Sequence, residues 1–201
     1  MRLSGIGLGC VRGGQQIFAG LNFSVDAGEA LVVTGPNGAG KTSLLRVIAG
    51  LLRPAAGRFE LEGGTAEASL AEQAHYLGHQ DALKPALSVA ENLLFWVAYL
   101  GAGGAALEPA LNAAGLDRVA DLPASYLSAG QRRRLSLARL IAVQRPLWLL
   151  DEPTASLDDA AQAKLGELMR AHRAAGGIIV AATHAPLDLD LPQTLRLGAT
   201  S

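Results

Sequence analysis

A single cysteine, Cys10, is all that the 201 residues hold. That excludes a disulfide framework and a cysteine-based zinc site, and a reducing compartment is expected. There is no surplus of charge either. Seventeen basic residues against 18 acidic ones leave a formal net charge of −1, which gives no electrostatic footing for nucleic acid or an anionic membrane. The longest uncharged run, Asn92 to Leu107, is broken by Gly101, Gly103 and Gly104 and falls short of the ~20 residues a spanning helix needs. Met1 to Val11 holds no apolar core followed by a cleavage site, so no secretory signal is expected. The expectation is a soluble chain that meets any membrane through a partner. Lysine is scarce, with three residues against fourteen arginines.

Half of the chain is apolar, mostly alanine and leucine, which is enough to bury a sizeable core in one compact domain or a domain with a small lobe. Short strands are expected over Arg2–Val11, Gln16–Ala19, Asn22–Val25, Ala30–Thr34 and Gly57–Leu61, with glycine-bearing turns between them. His75–Gly78 is a short apolar segment. The character then changes to helix. Ser88-Val89-Ala90-Glu91 has capping-box spacing ahead of an apolar run to Leu100, and a second short helix covers Leu107–Ala114. Residues 81–130 therefore read as a helical lobe inserted into an α/β core made of residues 1–80 and 131–201, all within one domain. Ser128-Ala129-Gly130-Gln131 repeats the capping spacing and heads a basic helix through Arg145, which Pro146 stops. Its Arg132-Arg133-Arg134 run is expected to be a solvated face, with neutralisation of nearby phosphate as the alternative. Leu147–Leu150 and Ile178–Ala182 are continuous apolar strands of the kind buried on both faces, with a helix over Asp159–Ala175 between them. Strands alternating with helices imply a parallel sheet with right-handed crossovers.

One of the three lysines closes Gly35-Pro36-Asn37-Gly38-Ala39-Gly40-Lys41-Thr42, which follows the strand Ala30–Thr34 and opens into a helix at Ser43. This is the G-x-x-x-x-G-K-[ST] phosphate loop in its required strand–turn–helix setting, and residue frequencies alone would produce such a match in about 0.4% of chains of this composition. Its glycines let main-chain N–H groups turn inward around a polyphosphate, and the helix N-terminus adds positive potential there. Lys41 would reach the β- and γ-phosphates, and the Thr42 hydroxyl would bind Mg²⁺. A compact ammonium suits a closed cradle better than a planar guanidinium does. The Gly5, Gly7 and Gly9 run, by contrast, lacks the third glycine that a dinucleotide fingerprint requires.

A phosphate loop alone fits a GTPase, a kinase or a motor. The strand Leu147–Leu150 narrows the choice, because it runs into Asp151-Glu152 at the sheet's carboxyl edge, where ligands bind in such folds. Asp151 is placed to hold Mg²⁺, directly or through water. Glu152 is placed to polarise an attacking water as general base.

Leu127-Ser128-Ala129-Gly130-Gln131 resembles the signature sequence of the ATP-binding-cassette (ABC) ATPases, and it precedes the acid pair as in that family. Gln80, the acid pair, Ser156-Leu157-Asp158 and His184 stand in the family's order, so the resemblance spans essentially the whole chain. It implies a P-loop NTPase fold of the ABC type: a mostly parallel sheet core with an N-terminal antiparallel β part and an inserted helical lobe. It also implies Mg²⁺-dependent ATP hydrolysis by two copies meeting head to tail around two nucleotides. In that arrangement Ser128, Gly130 and Gln131 contact the γ-phosphate held by the opposite subunit, and Asp158 reaches toward the partner's site. On the residues alone, Ser128, Gln131 and Asp158 could simply cap helices. Ala129 stands where the family usually has glycine, and is expected to be tolerated with Ser128 and Gly130 in place. The resemblance casts His184 as the switch histidine that bonds the γ-phosphate and holds Glu152 and the water in line. It casts Gln80 as the residue that watches Mg²⁺ and the water. An adenine-stacking aromatic usual in the family is replaced. The position 23 residues before Gly35 is Arg12, whose guanidinium can stack on a purine.

The segment His75–Lys84 and the short chain are similar to the ATP-binding subunits of haem exporters in cytochrome c maturation. That similarity implies separate integral membrane subunits, a place on the cytoplasmic face of a bacterial inner membrane, and delivery or release of haem by those partners. Direct haem binding by this chain is not expected, for there is no C-x-x-C-H, and His75 and His79 make no ligand case. An exporter subunit for a lipid, lipoprotein or drug remains an alternative. So, at greater distance, does a soluble ABC protein acting on ribosomes or DNA, against which the lack of basic excess counts.

Overall fold

The computed structural model describes residues 1–65, 67–101 and 103–198. The first strand, β1 (Arg2–Arg12), turns back at Gly13-Gly14 into β2 (Gln15–Asp26). Both turn glycines have positive φ, +55° and +78°, as a tight hairpin compatible with strand twist demands. β4 (Ala56–Glu62) pairs with the other edge of β1, giving an antiparallel sheet of order β2-β1-β4. β2 is one strand where the sequence suggested two with a break at Gly20. Gly20 takes φ +63° and Gly7 opposite takes +57°. The Asn22 carboxamide accepts from the Gly7 N–H at 2.8 Å and donates to the Gly20 carbonyl at 2.9 Å. A side chain thus supplies the ladder bonds that the irregularity removes, and the strand continues through a bulge.

The second sheet is parallel throughout, in the order β5-β6-β7-β3-β8. Its strands are β3 (Ala30–Thr34), β5 (Ala74–Leu77), β6 (Leu147–Asp151), β7 (Ile178–Ala182) and β8 (Gln193–Arg196). β6 and β7 are buried along their whole length, and their alternation sorts the core into two layers. Leu147, Leu149, Ile178, Val180 and Ala182 face the antiparallel sheet and α1 (Lys41–Ile48). Trp148, Leu150, Ile179 and Ala181 face Leu137 and Leu140 of α4 (Ala129–Ala142) and Leu165 and Met169 of α5 (Asp159–Ala174).

A third cluster joins α2 (Val89–Tyr99), α3 (Leu107–Ala113) and the other side of α4, through Val89, Leu93, Val97, Leu111, Leu135 and Ala138. α4 therefore carries apolar side chains on two faces and belongs to both packing regions. It ends at Ala142, three residues before the stop expected from Pro146, and Val143 is already extended. A residue preceding proline is pushed out of the α region, and here Arg145 is also held elsewhere. Its guanidinium donates to the carbonyls of Ala71, Glu72, Ala74 and Leu100. His75 is buried in β5. Its Nε2 donates to the Val143 carbonyl at 2.8 Å, and burial pushes its pKa down to about 3, so it is a neutral structural residue.

Candidate nucleotide-binding site

The loop from Gly35 to Thr42 leaves the carboxyl end of β3 and closes on the first turn of α1. Gly35, Gly38 and Gly40 have φ of +140°, +84° and +100°, a left-handed or mirror-region backbone open to glycine. A side chain on Gly35 would also run into the Leu197 carbonyl oxygen just beyond β8. Gly40 caps α1 without a side chain, so the first N–H groups of the helix have no capping oxygen and point at the space in front of them. Lys41 is 8% exposed. Its ammonium turns back on the loop and donates to the carbonyls of Gly35 at 2.8 Å and Pro36 at 3.1 Å.

A cleft of about 890 Å³ opens in front of this loop. Asn37, Gly38, Gly40, Lys41, Thr42 and Ser43 form one wall, while Pro36 and Ala39 shape the turn behind them. Asp151, Glu152 and His184 line the same cleft, from the carboxyl ends of the adjacent strands β6 and β7. Arg12 reaches the mouth from the β1–β2 hairpin. Phosphate loop, acid pair, histidine and hairpin arginine, spread over most of the chain, thus share one cavity.

Asp151 is 3% exposed and accepts from the Thr42 hydroxyl at 2.8 Å. Burial raises its pKa, the Thr42 hydrogen bond pulls the other way, and Glu152 alongside adds to the rise. A carboxylate that is costly to ionise there gains most from a cation beside it. Thr42 and Asp151 are hard oxygen donors of the kind Mg²⁺ takes. Glu152 has φ +47°, unusual for a residue other than glycine. Its N–H donates to the Ala182 carbonyl at 2.8 Å, which ties the turn to the end of β7. Its carboxylate accepts from the Thr183 hydroxyl at 3.2 Å and the His184 N–H at 3.4 Å, with His184 Nε2 at 3.9 Å.

The remaining candidates lie elsewhere. Gln80 is exposed and lines a neighbouring cleft of about 470 Å³ with Asp81, Ser125 and Arg132, against the helical cluster. Its neighbour His79, which sequence reasoning set aside as no ligand, lines both clefts. Ser128 and Gln131 form a reciprocal capping box at the start of α4, at 3.2 and 2.8 Å. Asp158 caps α5 by accepting from Ala161 N–H at 2.8 Å. Ser128, Gly130, Gln131 and Asp158 do not line this chain's own nucleotide cleft. Gly130 meets a packing demand as well, since a Cβ there would stand 3.0 Å from the Ser156 carbonyl oxygen. Among the described residues there is no group of three or more metal-ligating side chains of the His, Cys, Asp and Glu type.

The expectation of a solvated Arg132–Arg134 face is corrected. Arg133 is 3% exposed and spends its guanidinium on the carbonyls of the acid loop, while Arg132 and Arg134 bond the carbonyls of Leu127 and Ala114. Thr183 was also missed. Its signal is positional: it follows β7, the strand paired with the one that delivers the acid pair.

Compared with known proteins, the sequence matches the ABC transporter family over residues 18–155, more than half of the chain. The chain belongs to the ABC transporter family. As an ABC member it is an ATP-binding protein with ATPase activity. It is 61% identical over 201 residues, the whole of both chains, to the cytochrome c biogenesis ATP-binding export protein CcmA of Nitrobacter winogradskyi. To the protein of the same name from Rhodopseudomonas palustris it is 63% identical, again over all 201 residues of both. A solved ATP-binding subunit of an ABC transporter superposes with a TM-score of 0.82 at 26% identity, covering 92% of this chain and 80% of that one. Among the described residues, no helix of this ABC protein is long and apolar enough to cross a membrane.

Proposed function

We propose that this ABC ATPase is the motor subunit of an export complex for cytochrome c biogenesis, with integral membrane partners that deliver or release haem. The observation that carries the assignment is the full-length identity of 61% and 63% to two proteins named for that process. The division into a core (1–80 and 131–201) and a lobe (81–130) fits a machine whose lobe meets a partner, and the cleft beside Gln80 lies against that lobe. The working place is the cytoplasmic face of the inner membrane.

Within each subunit, the glycine-rich loop and the amino end of α1 bind the triphosphate, and Lys41 neutralises charge on its outer phosphates. Thr42 and Asp151 would hold Mg²⁺, which supplies charge stabilisation on the phosphoryl oxygens when bound. Glu152 orients and deprotonates the attacking water, while Thr183 and His184 fix its carboxylate. The γ-phosphate of nucleotide held by one copy is met by Ser128, Gly130 and Gln131 of a second, so ATP closes a head-to-tail homodimer and hydrolysis releases it. Gln80 enters the site when that dimer closes, and Asp158 faces the second copy.

Co-purification from detergent-solubilised membranes tests the assignment. Membrane subunits of a cytochrome c assembly system are the expected companions, and ribosomes or DNA in their place would sink the transporter reading. Arg12 is assigned to the face of the adenine. Arg12→Ala is expected to weaken ATP binding by about 0.5–1 kcal/mol, a few-fold in Kd; an unchanged affinity in a nucleotide titration removes the stacking role.

A further inference from the structure

Arg133 makes five hydrogen bonds with the five N–H groups of its guanidinium, all to the 151–153 turn and to Gly78 and Asp81. Nη2 donates to the carbonyls of Asp151 at 3.0 Å and Glu152 at 2.7 Å. Nε donates to Pro153 at 3.4 Å, and Nη1 to the Gly78 carbonyl at 3.0 Å and to Asp81 Oδ1 at 3.3 Å. The side chain is 4% exposed and lies on α4, five residues after Ser128.

We infer that Arg133 is a positioning residue for ATP hydrolysis, which holds the main chain of the acid pair and both ends of the His79–Gln80 segment with one cation. The inference rests on the assignment of Glu152 as general base. Three consecutive carbonyls, 151 to 153, converge on one guanidinium, and Glu152 in the middle of them has φ +47°. Without a central cation those dipoles oppose one another: the Glu152 carbonyl keeps its bond from the Ala155 N–H at 3.2 Å, while the carbonyl of the buried Pro153 gives up its bond from Arg133. The turn then relaxes and carries the Glu152 carboxylate away from the water it must take a proton from. Gly78 and Asp81 bracket the two residues on the wall between the nucleotide cleft and the lobe-side cleft, of which His79 lines both. A partner held in the lobe-side cleft therefore moves a segment that shares its anchor with the catalytic carboxylate. Lysine cannot take over this task, because its three donors sit on one nitrogen and lack the planar fork that spans both loops.

The test uses the complex purified in detergent with its membrane subunits. Arg133→Lys, Arg133→Met, Asp81→Asn and Glu152→Gln are assayed for kcat, KM, equilibrium ATP binding and thermal midpoint. Both Arg133 variants are expected to lower kcat by about tenfold or more, with ATP affinity within about twofold of the parent. Asp81→Asn should lower kcat by a smaller factor, and adding it to Arg133→Lys should cost nothing further, since the bond is already lost. Parental kcat in Arg133→Lys, or a loss that lies wholly in ATP affinity, overturns the inference. If the Arg133 variants do not fold, Asp81→Asn decides, and parental kcat there overturns the link to the 78–81 segment. Turnover retained in Glu152→Gln removes the base assignment and this inference with it. Turnover lost in Glu152→Gln but kept in Arg133→Lys removes the inference alone.

Discussion

Glutamine in place of Glu152 is expected to cut turnover by a factor of about 10²–10⁴ and to leave ATP bound. The amide has the shape of the carboxylate, and its oxygen can still accept from the Thr183 hydroxyl and the His184 N–H. What it loses is the ability to take a proton. The strained turn is kept as well, because the Glu152 N–H bond to Ala182 and the carbonyl bond to Arg133 are main-chain contacts that the substitution does not touch. Folding stability should therefore be close to the parent's. Phosphate release, measured beside nucleotide retained after gel filtration, separates the two effects. An ATP-dependent doubling of mass is the accompanying expectation, since a subunit that binds and cannot hydrolyse stays closed on its partner. Rapid hydrolysis by this variant would refute the base assignment.

Lys41→Ala is expected to act a step earlier, on binding itself. The ammonium is nearly buried and now spends its donors on the Gly35 and Pro36 carbonyls, so it already lies inside the cradle that a triphosphate would fill. Two charge-assisted bonds to phosphate oxygens are together worth about 3 kcal/mol net, or roughly a hundredfold in Kd. Part of that is offset in the parent by releasing the loop carbonyls. Titration with a fluorescent ATP analogue measures it. Unaltered affinity together with unaltered turnover would remove Lys41 from the phosphate site, whereas a variant that binds normally and fails to turn over would move it from binding to chemistry. The two substitutions thus give opposite patterns: one holds nucleotide and cannot use it, the other cannot hold it.

What could be read in advance was what is written in neighbouring residues. The phosphate loop, the acid pair at the end of an apolar strand, and the two capping boxes at Ser88 and Ser128 each occupy a few consecutive positions, and the structure forms the loop, strand and caps where the spacing puts them. Features that depend on distant partners were not legible. β2 passes through Gly20 because Asn22 meets Gly7 across the sheet. β8 is a short strand with no apolar run of its own, and it exists because β3 offers it an edge. Arg133 reads as part of a solvated run until the acid loop folds over it, and its neighbours Arg132 and Arg134 likewise find carbonyls earlier in the chain. Gln80 shows the limit from the other side: its place in the order of motifs was legible, while its side chain lies outside the nucleotide cleft of this single subunit.

The order of the parallel sheet also sets how small a working fragment can be. The segment recognisable as ABC transporter stops at residue 155, yet β6 and β3 touch only through β7, which runs from Ile178 to Ala182. A piece trimmed to that segment would carry the nucleotide loop on one strand and the acid pair on another without the strand that pairs with both, leaving the Thr42–Asp151 bond and the packing of α1 to hold them together. Cloning boundaries for this chain belong beyond Leu197, whose carbonyl backs Gly35, and before Arg2, where β1 begins.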